Sequence, residues 1–367
     1  MKIAHFIPTL KREDGVAGVL LSIVRESLKR GHESVIVTGW VEDNSISPVP
    51  VIKIPSVVFP LYKEYHLPLP GMGGFEKELN GFKPDVIHVH APETSAFAAL
   101  KYAKKYGIPI FATHHTNFVH YLPYYHLSFL EPFLWSILRR LYNQVDMVTT
   151  PSPVTTEELL SHGIKRAATL QWGVDLGSFN PSFRSGEWRR EILGDKGKII
   201  LLSVCRLTWE KDLRTLAEAY EIFKKNRDDF AMVVAGNGPA GDGLRSLMPG
   251  AVFMGRIVGE ELSKVFASSD ILLFPSTTET FGNVTIEAMA SGVVPIAANA
   301  GGSKSIVENG KTGFLAKPKD PKDLYEKAVI LIEDRELMGK MRSADLEIAR
   351  TYSWENVFDG LLKIYGE

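Results

Sequence analysis

Cysteine is almost missing: Cys205 stands alone among 367 residues, so no internal disulfide is available and the chain suits a reducing compartment. Neither sign of charge is in excess, with 42 Lys and Arg against 43 Asp and Glu and a formal net charge of −1. That balance excludes a broad basic field, and with it a dedicated nucleic-acid partner. No run approaches the roughly 20 apolar residues of a membrane span. The N-terminal MKIAHFIPTLKRED is a strand-like run followed by charges, without a signal-peptide core, so a cytoplasmic location is expected. Asp-x-Asp occurs nowhere and no Cys/His spacing suits zinc, so neither a metal nor a cofactor is expected.

What is present describes an ordinary globular chain, 45% hydrophobic and 23% charged, and long enough for two cores. Short apolar runs alternate with amphipathic stretches. KIAHFIP, SVIVTG, VIKIP, DVIHVHA, PIFATHH, DMVTTPS and ATLQWG come first, then KIILLSV, AMVVAGN, VFMGR, ILLFPS, VPIAAN and GFLA. Strands buried on both faces and separated by helices imply parallel sheets in an α/β protein. The pattern restarts near Lys198, after the polar stretch Asn180 to Lys198. The expectation is two facing, Rossmann-like, doubly wound domains with a ligand cleft between them at strand C-terminal ends. Their expected extents are 1–178 and 179–345, with a last helix in 346–367 crossing back to the first.

The most informative stretch is PSTTETFGNVTIEAMASG, Pro275 to Gly292. Glu279 follows the apolar strand ILLF, and Glu287 is expected in the first turn of the next helix. Between them Phe281, Gly282 and Asn283 allow backbone N–H groups to face a ligand. The first N–H groups of a helix have no internal partners, so such a turn makes an anion site, with carboxylates beside it for sugar or ribose hydroxyls. As a bare spacing the pair is weak, since it recurs at Glu210/Glu218 and Glu347/Glu355. The bland counterpart is a solvated loop glutamate and a glutamate favoured by the helix dipole. Earlier, LLSVCRLTWEKD places Arg206 and Lys211 in the loop after the second domain's first strand, two cations suited to a diphosphate. Their bland counterpart is an exposed Arg and a Lys paired with Glu210 or Asp212. Gly236 to Gly241 matches G-x-G-x-x-G, but it follows the second strand of its domain and reads as a turn rather than a dinucleotide fingerprint.

Arg206…Lys211, AGNGP at Ala235 to Pro239 and TETFGN…EAMASG together resemble the retaining GT-B glycosyltransferases, family 4 with a group 1 C-terminal half. The likeness extends to GVAG at Gly15 to Gly18 and to GVD…F…P at Gly173 to Pro181. It implies that Arg206 and Lys211 hold the donor diphosphate, Glu279 the transferred sugar and Glu287 the ribose hydroxyls. Backbone at Phe281, Gly282 and Asn283 would meet sugar and phosphate, and backbone around Arg256 and Ile257 would read the base. In the first domain the Gly15–Gly18 loop would approach a donor phosphate, although glycines there also suit a simple turn. His115, closing the strand PIFA, would contact the sugar, with His114 facing the other way by strand alternation. His88 and His90 share one strand face and read as wall or core histidines rather than metal ligands.

From Phe118 to Tyr142 the chain carries eight aromatics, with Lys101, Lys104, Lys105, Arg139 and Arg140 against only Glu131 from Ala98 onward. Aromatic bodies with a basic rim suit an anionic membrane or a lipid acceptor; the alternative is a helix whose aromatics are core. The segment HHTNFVHYLPYY…PFLW…WGVD…SFNPSFR resembles sulfoquinovosyl and mannosyl glycolipid transferases, which tend to carry two more residues between Trp172 and Gly173-Val-Asp. The resulting expectation is a metal-independent, retaining hexosyltransferase. It would use a nucleoside-diphosphate sugar and a (glyco)diacylglycerol acceptor, with peripheral contact on the inner face of the membrane. Alternatives are a soluble sugar or sugar-phosphate acceptor, an epimerase or phosphorylase on a similar fold, or a non-catalytic nucleotide-sugar binder.

Overall fold

In the computed structural model, which describes residues 1–11, 14–59, 62–69, 71, 74–194 and 199–366, all the apolar runs above become strands of two parallel sheets. Lys198, where the sequence pattern restarts, lies outside the described residues, as does Glu367 at the end of the 346–367 segment. The chain divides into two units: Met1–Leu122, Leu127–Trp172 and Trp354–Glu367 form one, Pro123–His126 and Gly173–Ser353 the other.

The first unit runs β1 (Lys2–Leu10), α1 (Gly15–Lys29), β2 (Glu33–Val41), β3 (Val51–Lys53), β4 (Ser56–Phe59), β5 (Tyr62–Pro68) and α2 (Phe75–Phe82). It continues with β6 (Val86–Val89), α3 (Thr94–Tyr106), β7 (Ile110–Thr113), α4 (Glu131–Tyr142), β8 (Met147–Thr150), α5 (Pro153–Ser161) and β9 (Ala167–Thr169). Its sheet order is β3-β2-β1-β6-β7-β8-β9, so the winding reverses between β1 and β6. The antiparallel pair β4–β5 stands apart from it. Strand alternation sorts the core: Ala4, Phe6, Ile87 and Val89 face one helix layer, while Ile7 packs with Leu20 and Val24 of α1 on the other.

The second unit runs α6 (Gly186–Leu193), β10 (Ile199–Val204), α7 (Leu213–Asn226), β11 (Phe230–Ala235), α8 (Gly241–Leu247), β12 (Val252–Gly255), α9 (Gly259–Ser268) and β13 (Ile271–Phe274). Then come α10 (Asn283–Ala290), β14 (Val294–Ala298), β15 (Phe314–Ala316), α11 (Pro321–Glu333) and α12 (Arg335–Ala349). Its order is β12-β11-β10-β13-β14-β15, again doubly wound, with the reversal between β10 and β13. In such sheets ligands bind outside the carboxyl ends of the strands at the reversal.

The last helix, α13 (Trp354–Tyr365), belongs to the first unit. Phe358 is fully buried there beneath His32, ring centroids 5.5 Å apart, and Arg30 of α1 pairs with Asp359 and donates to the Glu355 carbonyl at 3.1 Å. No helix among the described residues is long and apolar enough to cross a membrane.

Candidate functional site

At the reversal of the second sheet, the loop after β10 meets the loop after β13. Lys211 Nζ donates to Glu279 Oε1 at 2.6 Å, with side chains 12% and 17% exposed, and Ser276 Oγ donates to the same oxygen at 3.0 Å. Lys211 therefore pairs with neither of its sequence neighbours. Asp212, at φ +53°, turns instead to the backbone N–H and hydroxyl of Thr277 at 2.9 and 2.6 Å, and accepts the Tyr124 hydroxyl at 3.3 Å. The other neighbour, Glu210, is nearly buried and accepts Arg206 at 3.1 Å, while its carbonyl takes the Thr278 hydroxyl at 3.0 Å. Arg206 is 45% exposed, so its guanidinium retains access to solvent.

Two close backbone approaches hold these loops. A Cβ on Gly236, which sits at φ +140°, would lie 1.9 Å from the Cys205 carbonyl oxygen. The G-x-G-x-x-G stretch is thus a backing for the Arg206 loop. The second is the Gly301-Gly302 doublet after β14, absent from the residues singled out by sequence. Gly302 N–H donates to the Glu279 carbonyl at 2.6 Å, and a Cβ on Gly302 would fall 2.3 Å from the Thr280 oxygen. Its signal in the sequence was a glycine pair at a strand's C-terminal end. Asp212, Ser276 and Thr277, which set the positions of Lys211 and Glu279, were likewise not among the candidates.

The turn itself differs from the expectation in one respect. Helix α10 starts at Asn283, after Gly282 in the left-handed region at φ +106°, so Glu287 lies in its second turn rather than its first. Glu287 keeps some solvent access in a recess whose neighbouring atoms push its carboxyl up to about 7 by desolvation. Phe281 is a core side chain, ring centroid 6.0 Å from that of Tyr352, so it offers a ligand only backbone. Ile257 follows β12 and packs partly buried in the core beside Phe274 and Val265.

In the first unit, Gly15 and Gly18 lie in the first turn of α1, not in a loop. Asp14 caps that helix, accepting from Val16 and Ala17 N–H at 2.7 and 3.1 Å, and this draws the glycines into it. A Cβ on either would meet nothing within 4 Å, so the fold itself does not demand glycine there. His115 is buried after β7, its Nε2 2.9 Å from His90 Nδ1, while His114 turns to the Tyr142 hydroxyl at 3.1 Å. Burial lowers His115 to about 3, so the ring is neutral at physiological pH. Among the described residues no group of three or more His, Cys, Asp or Glu could hold a metal ion.

The aromatic stretch divides between core and surface. Trp135 and Tyr142 are buried, whereas Phe118, Tyr125, Phe129 and Phe133 are exposed, Phe129 to 74% and Phe133 to 62%. Of the basic residues nearby, Lys105 pairs with Glu76 at 2.9 Å and Arg139 donates to the His162 carbonyl at 3.3 Å.

Two doubly wound parallel sheets with polar loops at both reversals define the GT-B class. Residues 14–178 match Glycosyltransferase Family 4 and residues 185–346 match Glycosyl transferases group 1. The chain is 31% identical to a GDP-mannose-dependent alpha-mannosyltransferase of Mycolicibacterium smegmatis, over 98% of this chain and 94% of that one. It is 37% identical to the sulfoquinovosyl transferase of Arabidopsis thaliana over 80% of this chain, and it spans 59% of that relative's length. It is 26% identical to the alpha-monoglucosyldiacylglycerol synthase of Streptococcus pneumoniae, over 81% of this chain and 71% of that one. The sucrose-phosphate synthase of Thermosynechococcus elongatus superposes with a TM-score of 0.80 at 18% identity, covering 100% of this chain and 98% of that one. This chain belongs to the GT-B glycosyltransferases, with a family 4 N-terminal half and a group 1 C-terminal half.

Proposed function

We propose that this glycosyltransferase moves a hexosyl group from a nucleoside-diphosphate sugar to a hydroxyl of a (glyco)diacylglycerol lipid, with retention of configuration. The observation that carries the donor assignment is the Lys211–Glu279 pair with Arg206 at the reversal of the second sheet. Arg206 and Lys211 supply positive charge for a diphosphate, and Glu279 supplies an acceptor for sugar hydroxyls once the donor competes for Lys211. Glu287 takes the ribose hydroxyls, the backbone at Gly282 and Asn283 meets the sugar and phosphate, and the backbone at Ile257 meets the base. In the first unit, His115 contributes a neutral hydrogen bond to the sugar, and the open first turn at Gly15 and Gly18 admits a phosphate.

In the transfer, the bond from the anomeric carbon to the diphosphate breaks and a bond to the acceptor oxygen forms on the same face. The acceptor proton passes to the departing diphosphate oxygen, whose charge the two cations stabilise without a metal ion. The lipid assignment draws on the alpha-monoglucosyldiacylglycerol synthase among the relatives and on the exposed rings of Phe129 and Phe133. The pairing of Lys105 and Arg139 within the protein leaves less basic surface for a sugar phosphate than composition suggests. Peripheral contact with an anionic membrane surface follows from the same reading.

The test is a donor-by-acceptor screen with diacylglycerol in anionic vesicles or soluble sugar phosphates, the product's anomeric configuration being read by NMR. Transfer to the vesicle lipid with retention is expected. Efficient transfer to a soluble sugar phosphate without vesicle binding at low salt would overturn the lipid acceptor, and an inverted product would overturn retention.

A further inference from the structure

Four histidines gather at the reversal of the first sheet, and the proposed chemistry uses one of them. His5 of β1 is the register partner of His88 of β6, and His90 follows two residues later on the same strand face. His88 and His90 stack at 4.5 Å and 11°. All four, with His115, are buried. Two hydrogen-bond chains leave this cluster. One runs from His5 Nδ1 to His90 Nε2 at 3.1 Å, then from His90 Nδ1 to His115 Nε2 at 2.9 Å. The other joins the Tyr365 hydroxyl of α13 to His88 Nδ1, then His88 Nε2 to Thr113 Oγ1 and Thr113 to Thr149, each at 2.7 Å. Thr149 ends it by donating to the Ala112 carbonyl at 3.3 Å.

The polarity of each chain follows from its end. Thr149 spends its one proton on a carbonyl, so Thr113 donates to Thr149 and accepts from His88 Nε2–H. His88 Nδ1 then accepts the Tyr365 hydroxyl, which burial keeps protonated. In the first chain every ring is neutral, because burial lowers His5 and His115 to about 3 and His90 well below its ordinary value. A neutral imidazole has one donor and one acceptor nitrogen, so the three rings must all point the same way. If they ran from His115 toward His5, the His5 proton would sit on Nε2, which is buried with no hydrogen-bond partner among the described residues. A buried N–H without an acceptor is the rarer and costlier defect, compared with an unused lone pair. Run from His5 toward His115, each proton is used and the only unmet group at the far end is a lone pair.

We infer that His5, His90 and His115 form one directional hydrogen-bond chain that fixes His115 as the Nδ1–H tautomer, making His90 a positioning residue for sugar transfer. The inference rests on the proposed role of His115. It adds that His115 meets the donor as a hydrogen-bond donor through Nδ1, and so selects an oxygen acceptor on the sugar. The groups facing this chain are all neutral: His88 stacked on it, His114 beside His115 in sequence and lowered by burial to about 4, and Tyr365 behind His88.

Nitrogen-15 NMR of the imidazole rings in the full chain tests it. Wild-type protein is expected to show His5, His90 and His115 as Nδ1–H, the minority form of a free imidazole, and His88 as Nε2–H, with no titration of the four above pH 5. His90→Leu should populate both tautomers of His115 and lower turnover about tenfold, the worth of one buried hydrogen bond, with KM for the donor little changed. His90→Gln keeps an N–H and a carbonyl and should restore most of the turnover; Tyr365→Phe breaks only the second chain and should leave His115 as Nδ1–H. Wild-type His115 found as Nε2–H, or titrating near its ordinary value, overturns the chain, and the measurement stands if His90→Leu fails to fold. His115→Ala tests the reading beneath: unchanged turnover overturns the role of His115, whereas a wrong tautomer overturns the chain alone.

Discussion

Replacing Lys211 by Met separates the two roles its ammonium could have. The Lys211–Glu279 pair is short, at 2.6 Å, and seven-eighths or so withdrawn from water on the lysine side. Two unit charges about 4 Å apart at an effective dielectric near 20 interact by about 4 kcal/mol. Charge developing on a departing diphosphate near Lys211 is worth a similar amount, so the variant should lose about 10²- to 10³-fold in kcat, in line with removal of one preorganised donor. The same substitution leaves the Glu279 carboxylate with the Ser276 hydroxyl as its remaining donor at 3.0 Å. Stranding a buried charge costs about 3–5 kcal/mol, and the partial exposure here reduces that to about 1–3 kcal/mol of stability. The decisive comparison adds Glu279→Gln. The double variant no longer holds a stranded charge, so its denaturation midpoint should return toward wild type while turnover stays low. If turnover returns with stability, Lys211 serves only the fold and the diphosphate assignment is refuted.

Arg206→Ala should cut turnover by about tenfold or more with little change in Tm, because its half-exposed pair with Glu210 contributes about 1 kcal/mol at most; unchanged kinetics would remove Arg206 from the site. Gly282→Ala should cost about 1–3 kcal/mol in chemical denaturation, since the residue sits at φ +106° and the added methyl would lie 2.4 Å from Ser303 Oγ; a neutral result would contradict the loop geometry. Phe129→Ala with Phe133→Ala should weaken sedimentation with anionic vesicles several-fold at unchanged Tm, because both rings are mostly exposed; equal binding would count against this surface as the lipid contact. Glu287, raised to about 7, should favour donor binding as pH rises through 7 and its carboxylate forms, and Glu287→Gln should flatten that profile. The stability sign is opposite: a carboxyl raised on folding stabilises fully below its unfolded value near 4.5 and loses that contribution as pH rises through about 7. Asp345, raised to about 9 by burial, adds a loss of the same sign at higher pH, so the Glu287 part is read as wild type minus Glu287→Gln in denaturant midpoints at pH 5 and 8.

What was legible in the sequence is what depends on local pattern. Runs such as ILLF and IILLSV are apolar on both faces, a composition that fits a parallel strand between helix layers, and both sheets form from such runs. Arg206, Lys211 and the glutamates stood out because strand ends and helix starts are where backbone donors and charges gather. Position within the turn was harder. Asp14 was an available cap before Gly15, yet reading GVAG as a loop put its glycines outside the helix they open. Gly282 in a left-handed conformation shifted the helix start, and so moved Glu287 by a turn.

What was not legible depends on pairs distant in the chain. Lys211 had two acidic neighbours in sequence and took neither; its partner lies 68 residues away. The choice is made by Asp212, whose left-handed backbone at the start of α7 aims its carboxylate at Thr277, and by Glu210, which is occupied by Arg206 and Thr278. Each acid therefore holds one part of the loop pair, and the lysine is left to bridge the two loops. The histidines obey the same rule. Alternation on DVIHVHA showed that His88 and His90 share a face, but only the register with β1 brings His5 beside them and only the sheet order brings His115 to the end of the chain they form. A buried imidazole with two nitrogens in use cannot choose its tautomer alone, so the polarity at His115 is set by what His5 lacks two rings away.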